Sequence, residues 1–274
     1  MIGRIAHLSD VHMLETPPNP SAIYNLTLRL LSVGRVLDPH ARVKKLKTAL
    51  SAVKRSGADH VVISGDLTEV GSLPQFETFA ENLHDSGLDP ASVTLVPGNH
   101  DAYTVADAWA KMLDGPLRAF ARSSAGEPGK VVDLGNVVLL PLDLSRHQSI
   151  VRSGGELTAG AASALEQRLI DSDLQKRGVI VVQHHPPFGH ARGAWQWIDG
   201  LRGHGRMTDL LTANPGAQLL HGHMHRLIDR IVGLGKRRIF GAPATVDDAE
   251  GTPRVRLYDV RDGILEPAGL CPAA

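Results

Sequence analysis

The 274-residue chain has a single cysteine, Cys271, near the end of the sequence. One thiol excludes a disulfide framework and any cysteine-based zinc knot. Aromatic residues make up only 4%, and 29 basic side chains are balanced by 29 acidic ones. Nonspecific nucleic-acid binding needs excess cations to displace counterions, and base stacking needs aromatic faces, so strong binding of that kind is not expected. No run approaches the ~20 apolar residues that cross a bilayer. The opening MIGRIAHLSD has neither the apolar core nor the cleavage site of a secretory leader, so a cytoplasmic location is expected.

Short apolar runs alternate with amphipathic stretches through most of the length. Arg4–Leu8, His60–Ile63, Val93–Val96, Val137–Leu142, Gly178–Val182 and Ala217–Leu220 read as buried strands bounded by polar or turn residues. Val43–Arg55, Pro74–Asp85, Thr158–Asp171 and Met207–Ala213 carry helical spacing, with Thr158 as an N-cap and Pro74 in a first turn. Val131–Leu134 before Gly135 and Asn136 predicts a hairpin. Ile228–Val232, the turn Gly233–Lys236 and Arg237–Phe240 predict another, and Arg254–Val260 reads as a last strand. A βα alternation that gives way to hairpins implies mixed sheets flanked by helices, here in one domain over 1–274.

Residues 14–41 break the alternation as a helical insertion. They open on Pro17, Pro18 and Pro20 and continue through Ile23, Tyr24, Leu26, Leu28, Leu30, Leu31, Val33, Val36 and Leu37. Between Asn25 and Arg55 the basic residues Arg29, Arg35, Arg42, Lys44, Lys45, Lys47, Lys54 and Arg55 face one acid, Asp38. The plain reading is an excursion that packs on the core and shows its charges to water. The sharper reading makes 23–55 a lid or a peripheral membrane contact for a phosphorylated or lipid-like substrate.

The chemistry lies at the strand ends. Asp10 and His12 follow the first strand, Asp66 the second, and Asn99, His100 and Asp101 the third. His184 closes a further strand, and His223 and His225 follow another in H-G-H-M-H. In open α/β sheets this edge is where ligands bind. Carboxylate and imidazole donors without thiolates suit two divalent ions from Mn, Fe, Zn, Ni and Co, with Mn or Fe favoured. Asp66 is placed to bridge them, since one carboxylate has two oxygens. Gly65, Gly98 and Gly222 precede ligand positions and permit turns and close backbone approach.

The blocks D-x-H, G-D-x-x-E, G-N-H-D, V-x-x-H and G-H-x-H occur in that order between residues 5 and 245. Together they resemble the calcineurin-like metallophosphoesterase superfamily. The resemblance implies a four-layer α/β/β/α sandwich with two mixed sheets and a dinuclear metal site at the C-terminal strand ends. It places Asp10, His12 and His225 on one ion, Asn99, His184 and His223 on the other, and Asp66 between them. His100 would face the leaving group as its acid, with Asp101 orienting the turn or biasing the His100 proton. Glu69 stands where purple acid phosphatases carry a tyrosine ligand, which argues against a tyrosinate–iron(III) site.

The expected activity is hydrolysis of a small phosphodiester, of cyclic-nucleotide or glycerophosphodiester type, by a hydroxide bridging the two ions. The alternatives are a pyrophosphohydrolase acting on a nucleotide-linked lipid such as UDP-diacylglucosamine, a phosphomonoesterase and, last, a non-catalytic scaffold. Arg192, Trp195 and Trp197, in the stretch after His185, are candidate substrate contacts; the competing reading has the tryptophans anchoring a long loop. His185 and His190 are left between supporting and substrate roles. His7, His40, His60, His84, His147, His204 and His221 are read as structural or surface residues.

Overall fold

The computed structural model describes residues 1–32, 35–232, 237–247 and 253–272. Val33 and the predicted turn Gly233–Lys236 lie outside the described residues, as do the side chains of Ile23, Tyr24 and Leu31. The first half of the chain gives β1 (Arg4–Leu8), α1 (Ala22–Leu31), α2 (Pro39–Ser56), β2 (His60–Ser64), α3 (Leu73–Asp85), β3 (Val93–Val96) and α4 (Ala108–Asp114). The middle adds β4 (Val132–Asp133), β5 (Val137–Pro141), α5 (Ala159–Leu169), β6 (Gly178–Val182), α6 (Gly193–Asp199) and α7 (His204–Ala213). The strands β7 (Gln218–His221), β8 (Ile228–Val232), β9 (Arg237–Gly241), β10 (Arg256–Arg261) and β11 (Ile264–Leu270) follow.

Helix boundaries follow local chemistry. Asp38 caps α2 by accepting the amide protons of His40 and Ala41, and Gly57 closes the helix in the left-handed region at φ 67°. Thr158 caps α5 through its hydroxyl, which accepts from Ala161 N. Pro74 occupies the first turn of α3, where its missing N–H costs nothing.

Two sheets result, with strand orders β11-β10-β1-β2-β3 and β4-β5-β6-β7-β9-β8. In the first, β1, β2 and β3 are parallel and β10 runs against β1. In the second, β5, β6, β7 and β9 are parallel, with β4 and β8 antiparallel at the two edges. Both sheets are thus mixed. Strands buried on both faces read as continuous apolar runs, which is the pattern of β2, β5 and β6.

Three apolar clusters make the layers. Ile5, Val62 and Val96 from the first sheet meet Ile180, Val182, Leu220 and Phe240 from the second between the sheets. Leu46, Leu50 and Val53 of α2 and Phe76 and Phe79 of α3 cover the outer face of the first sheet. Leu165 of α5 and Met207, Leu210 and Leu211 of α7 cover the outer face of the second. The order is α/β/β/α, as the resemblance implied.

The interior histidines of the strands are satisfied structural groups. His7 meets Ser64 Oγ at 2.7 Å, and His60 meets Thr94 Oγ1 at 2.8 Å. Burial pushes His7 well below its ordinary 6.5 and takes His60 to about 4, so both stay neutral.

The basic segment follows the plain reading in large part, with Arg29, Lys44, Lys47, Lys54 and Arg55 exposed to water. Leu28 of α1 packs with Leu14 and Val70, whereas Leu26, Leu30 and Val36 are exposed. Three of the basic residues turn inward. Arg42 is buried and donates to His12 O and Val36 O, Lys45 donates to Val246 O, and Arg35 pairs with the buried Glu69.

Candidate metal centre

The C-terminal ends of β1, β2 and β3 in one sheet and of β6 and β7 in the other deliver every proposed metal-ligand residue. The loops are tied to one another by backbone hydrogen bonds. Asp10 N donates to Gly65 O at 3.0 Å, His12 N to Asp66 O at 2.9 Å and Gly222 N to His184 O at 3.0 Å.

Five of these residues sit in the left-handed region: Asp10 at φ 54°, His12 at 50°, Asp66 at 51°, His223 at 67° and His225 at 52°. For non-glycine residues this conformation is uncommon and costs about 1–3 kcal/mol each, and such strain clusters at functional sites. Asp and His tolerate it better than branched residues. The turns therefore fall on the ligand residues themselves. Two of the preceding glycines serve close approach instead. A Cβ on Gly98 would lie 2.1 Å from Asp66 Oδ1, and one on Gly222 would lie 1.7 Å from Ser9 Oγ.

The side chains converge in two adjacent groups. Asp10, His12 and His225 form one, with donor atoms within 4.8 Å of one another; Asp66, His184 and His223 form another. His225 Nε2 stands 3.3 Å from Asp10 Oδ1 and 3.4 Å from His12 Nε2. Asp66 Oδ2 reaches both groups, at 3.2 Å from His184 Nε2 and 3.7 Å from His12 Nε2.

Asn99 Oδ1 is buried and makes no hydrogen bond among the described residues, while Asp10 Oδ1 and His184 Nε2, also buried, have only their long ion-pair contacts with His225 and Asp66. Leaving a buried oxygen like that of Asn99 unsatisfied costs about 1–3 kcal/mol. The three donor types, carboxylate, amide oxygen and imidazole, are those that bind divalent ions, so the residues present fit a metal pair.

Electrostatics bear this out. Burial works to raise Asp66, but the fields of His184 and His100 win and hold its carboxyl well below the usual range. Burial likewise opposes charge on His184 and His225, yet Asp66 lifts His184 to about 9, and Asp10 and Asp247 lift His225 to about 10. In the metal-free chain, protons serve as the counter-charges.

Three of the four ligand histidines are oriented through their other nitrogen. His184 Nδ1 meets Ser64 O at 2.7 Å, and His225 Nδ1 meets Asp247 Oδ2 at 2.8 Å. His223 Nε2 lies 2.9 Å from Asp199 Oδ1. Carboxylates in this position fix ring orientation and raise ligand basicity. Sequence reasoning missed both Asp199 and Asp247.

His100 adjoins the first group, its ring centroid 4.5 Å from that of His12 in an edge-on contact. Its Nδ1 contacts Glu69 O at 2.7 Å, which fixes a proton there, and its backbone N donates to Asp66 Oδ1 at 2.9 Å. The geometric group His12, Asp66 and His100 also falls within 4.8 Å, so proximity alone does not separate His100 from the ligands.

Asp101 takes the turn-orienting place rather than the proton-biasing one, because Glu69 O occupies the His100 Nδ1 position. Its two oxygens accept from Leu67 N, Thr68 N, Thr68 Oγ1 and Gly98 N at 2.8–3.0 Å, pinning the Asp66 loop to the Asn99 loop. Burial, then Asp66, pushes Asp101 up to about 7 against those hydrogen bonds. Tyr103, also missed, meets Asn99 Nδ2 through its hydroxyl at 2.9 Å and so turns the amide oxygen away from itself.

The proposed substrate residues lie at the periphery. Arg192, Trp195 and Trp197 are all exposed, and the segment is the short helix α6, with no buried residue, rather than a long loop. The tryptophans do not anchor it. The anchor is Asp199 at the helix end, bonded to Ser153 Oγ and facing His223 and His190. Arg152 stacks over the Trp197 ring at 4.3 Å. His185 is buried beside His223 and contacts Ser153 O at 2.8 Å, and burial keeps it neutral. His221 is likewise held neutral, at about 4, by burial.

Residues 3–227 match the model of the family described as calcineurin-like phosphoesterase. A protein of Rhodopseudomonas palustris named a probable cyclic nucleotide phosphodiesterase is 27% identical over 71% of this chain and 66% of its own length. A Pseudoalteromonas protein of the same description is 30% identical over 36% of this chain and 31% of its own. The chain thus spans just under two thirds of one curated relative and about a third of the other. Among solved structures, a dimetal phosphatase from Danio rerio superposes with a TM-score of 0.70 at 14% identity, covering 98% of this chain and 96% of that one. The fold is therefore that of a dimetal phosphatase. With its family model covering most of the sequence, the chain belongs to the calcineurin-like phosphoesterases.

Proposed function

We propose that the protein is a metal-dependent phosphodiesterase acting on small phosphodiesters of cyclic-nucleotide or glycerophosphodiester type. The observation that carries this is the cluster of buried oxygen and nitrogen donors Asp10 Oδ1, Asn99 Oδ1 and His184 Nε2 around Asp66, with His100 beside it. The names of the two curated relatives support the diester over the monoester.

In this reading Asp10, His12 and His225 hold one divalent ion, Asn99, His184 and His223 hold a second, and Asp66 serves both. The donor set favours Mn or Fe. Bound ions supply Lewis acidity to the phosphoryl oxygens and acidify a water.

The chain's own residues do the rest. Asp247 and Asp199 hold the rings of His225 and His223, and Ser64 O holds that of His184. With Nδ1 committed to Glu69 O, His100 exchanges a proton through Nε2 and protonates the departing oxygen. Asp101 keeps the Asp66 and Asn99 loops in register during that step.

The test is turnover of bis(p-nitrophenyl) phosphate beside p-nitrophenyl phosphate after metal is stripped and Mn²⁺ restored. Faster diester cleavage is expected; preference for the monoester would replace this reading with a phosphatase. A second reading, a pyrophosphohydrolase of a lipid-linked nucleotide, draws on exposed Leu26, Leu30 and Val36 near the basic helix α2. Salt-sensitive binding to anionic liposomes, with turnover of neither nitrophenyl ester, would favour it.

A further inference from the structure

Glu69 is fully buried, and two guanidinium groups share its one negative charge. Its Oε1 pairs with Arg35 Nη2, and its Oε2 lies 3.5 Å from Arg42 Nη1. The same carboxylate faces the centre, with Oε2 3.7 Å from His12 Nδ1 and Oε1 3.9 Å from His100 Nδ1. Both guanidinium groups thus reach the carboxylate that backs the wall formed by His12 and His100.

The two arginines are not equivalent. The Arg42 side chain is 2% exposed and spends its donors on His12 O and Val36 O, so it braces the loop after β1. The Arg35 side chain is 17% exposed, at the chain connection between α1 and α2. Its field is felt by His12, by Tyr103 beside Asn99 and by Asp247 beside His225, residues on separate sides of the centre.

We propose that Arg35 is a substrate-binding residue, a guanidinium held by Glu69 at the mouth of the metal centre that pairs with the non-bridging oxygens of a phosphoryl group. The inference rests on the phosphoesterase reading and deepens it, because it gives the 14–41 segment a task in recognition. A planar fork matches two phosphoryl oxygens at once, and a lysine ammonium does not reproduce that fork. Glu69 sets the direction of the fork, and Arg42 holds Glu69 in place when Arg35 turns toward the substrate.

The experiment uses the full chain loaded with Mn²⁺, as wild type, Arg35→Met and Arg35→Lys. Four quantities are read: Mn per chain, KM and kcat for bis(p-nitrophenyl) phosphate, and the inhibition constant of inorganic phosphate. Losing a charge-assisted bidentate pair weakens phosphate inhibition and kcat/KM by about 10- to 100-fold with Mn content unchanged, and Arg35→Lys falls between. Inhibition and kcat/KM within twofold of wild type in Arg35→Met would overturn the proposal. If Arg35→Met loses metal or fails to fold, Arg35→Lys decides, since it keeps a cation beside Glu69: weakened phosphate inhibition at full Mn content supports the role, and wild-type inhibition removes it. A wild-type protein that cleaves no phosphoester would sink the phosphoesterase reading instead. Calorimetric binding of inorganic phosphate to wild type and the Arg35 variants then decides the role of Arg35 alone.

Discussion

Raising the pH should tighten metal binding steeply, because His184 and His225 hold protons that an ion must displace. Moving His184 from 6.5 to about 9 corresponds to about 3 kcal/mol of preference for the protonated ring in the metal-free fold. His225 is held still higher, at about 10, by Asp10 and Asp247 against its burial. At pH 7 both rings are charged, so loading the site releases about two protons per chain, and the product of the two metal affinities rises about 100-fold per pH unit up to pH 9.

The sign for stability is opposite in the two forms. A histidine whose folded pKa is raised contributes stability that is full below 6.5 and lost as pH rises through 9 to 10. The stripped protein therefore weakens on the alkaline side, while Mn²⁺ stabilises the fold more strongly there. The assay is calorimetric titration of Mn²⁺ into stripped protein in buffers of different ionisation enthalpy at pH 7 and pH 9. Release of fewer than half a proton per chain at pH 7 would refute the electrostatic account of the cluster.

Other predictions follow from single contacts. Asp101→Ala strands the amides of Leu67, Thr68 and Gly98 and should cost at least about 3 kcal/mol in urea unfolding. His100→Ala should keep its metal and lose about 10²–10⁴-fold in turnover of a diester with a poor leaving group, with a smaller loss on nitrophenyl esters. Gly222→Ala drives a methyl into Ser9 Oγ and toward Asp10 Oδ2, so about 2 kcal/mol of stability and much of the metal affinity should go together, read by thermal melts with and without Mn²⁺. Trp195→Ala should leave stability within about 0.5 kcal/mol, because the side chain is exposed; a larger loss in a urea titration would restore the anchoring reading.

The strands and the convergence of the proposed ligands were legible because each rests on local signals. Apolar runs end in Asp, Asn or His, and parallel pairing brings those ends to one edge. What escaped depends on distant partners. Asp199 and Asp247 are ordinary acids in sequence, and only the fold sets them 24 and 22 residues away against His223 and His225. Glu69 stands in a recognised block, but its pairing with Arg35 and Arg42 depends on how the α1–α2 segment folds back over the loop after β1. The strand β11 was missed because Pro267 and Gly269 weaken its pattern; as an edge strand with a register shift against β10 it tolerates both. The long-loop reading of the stretch after His185 failed for another reason. A two-turn helix with no buried residue has no apolar face to betray it.

The central claim is that these strand ends form a two-ion hydrolytic centre, and one titration tests it most directly. Mn²⁺ is added stepwise to stripped wild type and to Asp66→Ala, with bound metal and bis(p-nitrophenyl) phosphate turnover measured on the same samples. Wild type should bind two ions per chain, with turnover rising as the second is bound, while Asp66→Ala loses bound metal and activity together. Turnover that survives chelation, or a chain that binds less than one Mn²⁺, would contradict the claim.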